Sequence, residues 1–221
     1  MELTTKEAAE RLSVSQRQVE RLVVSGSLTG TRRVGRAWML DASSLVALSA
    51  LSRIRGRPWN QETAWAALWR LSGLGTSWLD PQASRRLIAR LRSIDPDGLA
   101  WMCRNRAQVQ RFRASESFLA QLSSRVRPSG ANAVEPGRDL LAPRPDQVDG
   151  YVTTSERDDL VRDFFLVPDT AGNVRLRTTD SPVVAERDGV MPVAVVGVDL
   201  LESADPRESA VGRNILKGLM A

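Results

Sequence analysis

Residues 3–26 read LTTKEAAERLSVSQRQVERLVVSG, and this run admits few folds. Ala8, Ala9 and Leu12 recur on one helical face, with Thr4 or Thr5 placed as N-cap and Glu7 near the reciprocal capping position. After a tight turn at SVS, Ser15 caps a second segment that turns Val19, Leu22 and Val23 inward and ends at Gly26. Two short helices joined by a turn, with small Ala8 and Ala9 permitting close approach, predict a helix-turn-helix.

In such a motif the second helix enters the DNA major groove with its N-terminal side chains on base edges. Ser15, Gln16, Arg17, Gln18 and Arg21 stand at the start of this one and are expected to project outward. Arginine can give two hydrogen bonds to guanine and glutamine can pair with adenine, each good pair supplying about 1–3 kcal/mol of discrimination. The next run, TRRVGRAWML at 31–40, predicts a hairpin: Arg32, Arg33 and Val34 go out, Gly35 and Arg36 turn, and Trp38 and Leu40 return. That hairpin reads as a wing. Cations at its tip, Arg32, Arg33 and Arg36 around Gly35, would displace counterions from the duplex backbone and add affinity with little sequence choice.

The motif order T-x-x-E-A-A-x-x-L (4–12), V-S (14–15), V-x-R-L (19–22), G-x-L (26–28) and V-G-R-x-W (34–38) resembles the excisionase and MerR-like winged helix-turn-helix domains. The resemblance covers about a quarter of the chain and implies binding of double-stranded DNA at a promoter or operator. A winged helix used only for protein contact is the alternative, and the basic tip argues against it.

Beyond the wing, four stretches show helical spacing, at 60–73, 80–94, 95–115 and 115–125, with Asp80, Asp95 and Ser115 placed as N-caps. Trp65, Trp69, Trp78 and Trp101 read as core residues, and Arg85, Arg86, Arg90, Arg92, Arg104, Arg106, Arg111 and Arg113 either line phosphates or form a solvated face. Prolines and glycines without an apolar period make 127–149 a linker. Behind it, 154–167 predicts a capped helix, 173–179 and 191–201 predict strands, and 205–220 predicts a helix. The expected fold is mainly α with a small α+β C-terminal unit. Its divisions are a winged helix-turn-helix at 1–57, a helical segment at 58–126, the linker, and an acidic α+β unit at 150–221.

Charge separates front from back. Residues 1–130 hold 21 basic against 10 acidic side chains, and residues 131–221 hold 10 against 16. A basic front suits a polyanion and an acidic back suits a different partner. With no histidine and Cys103 as the single cysteine, the parts for zinc sites, serine triads and histidine acid–base pairs are missing. Asp158 and Asp159 are adjacent on a helix, about 100° apart, and cannot easily share a magnesium ion. No enzyme activity and no cofactor are expected. No apolar run reaches the roughly 20 residues needed to cross a bilayer, and the start lacks signal-peptide order, so a cytoplasmic protein that joins the nucleoid when DNA-bound is expected.

The rear motifs N-V-x-L-R (173–177) and V-D-L-x-E-S-x-D-P-R-E (198–208) resemble AbiE-type antitoxins paired with nucleotidyltransferase toxins. That resemblance implies an autorepressor whose rear unit masks a toxin. Asp158, Asp159, Asp199, Glu202, Asp205 and Glu208 are candidates to cover a cationic cleft on the partner, or are helix-start acids favoured by the macrodipole. An excisionase-like architectural protein and a ligand-responsive repressor are the other readings, and a homodimer would call for a palindromic operator.

Overall fold

Capping side chains set where the helices begin. A computed structural model of the chain describes residues 2–12, 14–24, 31–35, 37–41, 57–133 and 144–221. Asn60, Asp80 and Asp95 each accept a backbone N–H from the first turn of helices Gln61–Leu71, Pro81–Leu91 and Pro96–Cys103. Thr153 and Glu156 close a reciprocal capping box on helix Thr154–Asp163, and Asp205 caps helix Pro206–Met220. Among the described residues no helix is long and apolar enough to cross a membrane.

At the front, β1 (Glu2–Thr4), β3 (Ala37–Asp41) and β2 (Thr31–Val34) make a three-stranded sheet in that order. It closes over helices Thr5–Leu12 and Gln16–Val24, and Leu3, Ala8, Ala9, Val19, Val23 and Leu40 form their shared core. The rest of the described chain builds around a five-stranded sheet in the order β5 (Arg127–Pro128), β6 (Val148–Val152), β8 (Val174–Thr178), β4 (Gln108–Arg113), β7 (Val167–Pro168). Only β6 and β8 run parallel in it.

Strand alternation sends successive side chains of this sheet to two different layers. Val148, Val152, Val174, Leu176 and Phe112 pack with Leu122 and Leu160 from helices Leu119–Ser124 and Thr154–Asp163. On the other side Tyr151 joins Trp65, Leu99, Val195, Val198 and Leu216 from helices Gln61–Leu71, Pro96–Cys103, Val193–Leu201 and Pro206–Met220. Trp65 stands edge-on to Trp69, ring centroids 5.4 Å apart, and both are buried. Trp78 packs partly buried against the same core, and Trp101 carries the Arg104 guanidinium 3.5 Å from its ring centroid.

Four expectations are corrected. The stretch 95–115 is not one helix: it stops at Cys103 and continues as β4, because five consecutive residues pair with β8 and Phe112 is buried between layers. The stretch 191–201 is not a strand but helix Val193–Leu201, buried almost all round. A helix with no polar face has no amphipathic period, so its valines read as β, and packing overrides their propensity. The linker assigned to 127–149 holds β5, a 3-10 turn at Gly130–Ala133 and the start of β6, while its residues 134–143 lie outside the described ones. The division between 58–126 and 150–221 fails as well. β4 pairs with β8, and helices from both sides of it share one core.

The helix-facing side of the sheet carries a buried ion network. Asp199, fully buried, accepts from Arg106 Nη2 at 2.5 Å, from Tyr151 at 3.1 Å and from Ser129. Arg106 also reaches Glu202 through both terminal nitrogens, at 2.9 and 2.6 Å. Arg177 bonds Asp149, and its Nε lies 3.0 Å from Asp199 Oδ1 without hydrogen-bond alignment. Burial disfavours the charge on Arg106, yet Glu202, Tyr151 and Asp199 outweigh it and raise its pKa well above the ordinary value. Burial drives the Tyr151 pKa well up and pushes the Cys103 thiol to about 12. Arg106 therefore neither lines phosphates nor meets solvent, as the sequence had allowed; it is structural.

Candidate nucleic-acid interface

The front unit is assembled by local bonds that the sequence announces. Thr4 N donates to Glu7 Oε2 at 2.7 Å and Glu7 N donates to Thr4 Oγ1 at 3.3 Å, so Thr4 is the N-cap of the first helix. The Thr4 backbone bond is the main cause holding the Glu7 carboxyl below its ordinary pKa. Val14 N donates to Ala9 O at 3.1 Å, which folds the turn back on the first helix. Ser15 Oγ then accepts from Gln18 N at 3.3 Å and starts the second helix.

Val19 is fully buried and Val23 nearly so, and the opposite side of that helix stays open. Arg17, Gln18 and Arg21 are exposed there; spacings of three and four residues place them on one face. Among the described residues neither arginine is held in an ion pair. Gln16 is exposed as well, near the start of the same helix. A quarter turn or more from Arg17, it reaches back, its Nε2 donating to Thr5 Oγ1 at 3.1 Å, and so ties the two helices together. Its carbonyl oxygen and the second Nε2 hydrogen are left for another partner.

The hairpin is in register Thr31↔Leu40, Arg32↔Met39, Arg33↔Trp38 and Val34↔Ala37. Gly35 takes φ 61, the left-handed value that a two-residue hairpin demands at its first loop position and that a side chain would strain. Cross-strand pairing sets the exposed Arg33 guanidinium 5.8 Å from the Trp38 ring centroid, which fixes the cation without removing it from water. Arg36 and the Arg32 side chain lie outside what the structure describes. No sequence signal marks β1, whose Leu3 pairs with Leu40 and locks the hairpin to the first helix. Three residues are too few for alternation to show.

A helix-turn-helix domain model matches residues 2–48. No curated protein and no solved structure matches the chain. The chain thus carries a helix-turn-helix domain, and the match supports DNA binding by it.

The six rear carboxylates do not gather on one surface. Asp199 is fully buried in the network above and cannot meet a partner, which corrects its candidacy. Glu202 is held by Arg106, Asp205 caps its helix, and Glu208 accepts from Ser203 and lies 3.5 Å from Arg144. Asp158 and Asp159 remain well exposed, paired with Arg157 and Arg162 on their own helix. Just beyond them Phe165 is 78% exposed at φ 51. Leu166 N donates to Val161 O at 3.1 Å, a helix-ending pattern whose left-handed residue is usually glycine. The sequence FFLV does not tell which phenylalanine turns out; Phe164 is buried and Phe165 is not. Among the described residues no cluster of His, Cys, Asp or Glu could hold a metal.

Proposed function

We propose that the chain is a sequence-specific, double-stranded-DNA-binding regulator of transcription without enzyme activity, acting in the cytoplasm at its own operator. The observation that carries this is the open face of helix Gln16–Val24, where Arg17, Gln18 and Arg21 stand together free of described ion pairs. Beside it the hairpin serves as a wing that holds Arg33 over Trp38 toward the phosphates. Arg33→Ala should weaken operator and random DNA alike and flatten the salt dependence of binding by about one unit of slope, measured by anisotropy titration at several ionic strengths. A loss confined to the operator would contradict the wing assignment.

For the rear unit the reading is an antitoxin surface that covers a nucleotidyltransferase partner. Support comes from Phe165, an exposed aromatic kept at a backbone position that costs on the order of 1–2 kcal/mol for a non-glycine residue, next to exposed Asp158 and Asp159. Large aromatics dominate binding energy at interfaces. Phe165→Gly should leave thermal stability unchanged or raised yet abolish co-purification of a co-expressed partner nucleotidyltransferase. Full retention of the partner would remove this surface from the reading.

A further inference from the structure

The ion network on the sheet is balanced at its buried end and unbalanced at its open end. Register places Asp149, Arg175 and Arg111 in one row across β6, β8 and β4. Asp149 is already shared, bonding Arg177 and, at 3.1 Å, Arg175 Nη1. Arg111 stands directly opposite Arg175, a like-charge pair of the kind that destabilises a sheet. It is half-buried, and among the described residues no carboxylate comes within ion-pair distance of it. Glu208, the carboxylate that favours its charge, is occupied by Ser203 and Arg144.

Both arginines line an open cleft together with Asn132, Gln147, Asn173 and the carboxylates of Asp149 and Glu208, both of which are already bonded within the protein. Asn173 bonds the Ala114 backbone and Asn132 Nδ2 bonds Gln147 O, so the donors with most capacity left are the Arg111 guanidinium, the remaining nitrogens of Arg175 and the Gln147 amide. We propose that this cleft binds a small anionic molecule through a carboxylate or phosphate group bridging Arg111 and Arg175. Guanidinium pairs bind such groups with paired, charge-assisted bonds, and an anion between them would turn repulsion into attraction. No residue of the helix-turn-helix match lines the cleft, and its occupancy is read without DNA, so its failure leaves the DNA reading intact.

The test is a melting experiment on the full chain, with inorganic phosphate and succinate as probes in separate arms and chloride at equal ionic strength as control. The wild type should melt higher in at least one arm, and the arm that responds tells phosphate from carboxylate. Arg111→Gln should lose that shift, with affinity reduced at least about tenfold, while melting at or above the wild type in chloride because the repulsion is gone. Arg111→Glu, which supplies its own carboxylate to Arg175, should melt higher still in chloride and show no shift. Arg17→Ala should keep the wild-type shift, separating this cleft from anions on the DNA-binding face. The proposal is overturned if neither probe shifts the wild type, or if either Arg111 variant keeps the full shift.

Discussion

Asp199→Ala is expected to destabilise the protein by about 3–5 kcal/mol, a large part of the 5–15 kcal/mol typical of a folded domain. The side chain is fully buried and bonded by Arg106, Tyr151 and Ser129, with Arg177 Nε 3.0 Å away. Removing it leaves two buried guanidinium groups sharing what Glu202 and Asp149 can still give, and strands the Ser129 hydroxyl. Burying charge without its partner costs far more than the pair itself gains. Urea denaturation should show a midpoint lower by on the order of 1–2 M. Asp159→Ala, which removes an exposed pair with Arg162, should stay within about 0.5 kcal/mol of the wild type. Equal effects of the two would show that the buried network does not hold the sheet to its helices.

Gly212→Ala should also destabilise, by roughly 1–3 kcal/mol, although alanine is the better helix former by about 1 kcal/mol. Helices Val193–Leu201 and Pro206–Met220 cross at Gly197 and Gly212. A methyl group on Gly212 would lie 2.4 Å from Leu201 N and 2.5 Å from Gly197 O, backbone atoms that cannot turn aside. On the same helix Gly218 faces open space, with nothing within 4 Å of an added Cβ. Gly218→Ala should therefore stabilise, by up to about 1 kcal/mol, so that two identical substitutions change thermal stability in opposite directions. Gains at both positions would deny the close crossing.

The front unit was legible because its signals are local. Thr4, Glu7 and Ser15 bond within three residues of themselves, the buried positions keep helical spacing, and Gly35 marks the hairpin loop. Gln16 is exposed as its type suggests, while its bond to Thr5 on the first helix is a contact that residue type alone does not announce. Farther back, what decided the fold lay far away in sequence. NVRLRT alternates as a half-solvated strand would, yet Arg177 is 2% exposed because helices cover that face and supply Asp199. VAVVGVDLL is apolar on every side and so carries no period, and β4 becomes a strand through pairing with residues more than 60 positions on. Capped helices survive such ambiguity; segments chosen by tertiary contacts do not.

The most direct measurement titrates the wild type and the Arg17→Ala/Arg21→Ala double variant against DNA from upstream of the gene and against a scrambled duplex, at one fixed salt concentration. Base reading by helix Gln16–Val24 predicts that the wild type prefers the upstream DNA and that the double variant loses about 2–6 kcal/mol of that preference while still binding both duplexes through nonspecific contacts. An unchanged preference in the double variant, or none in the wild type, would contradict it.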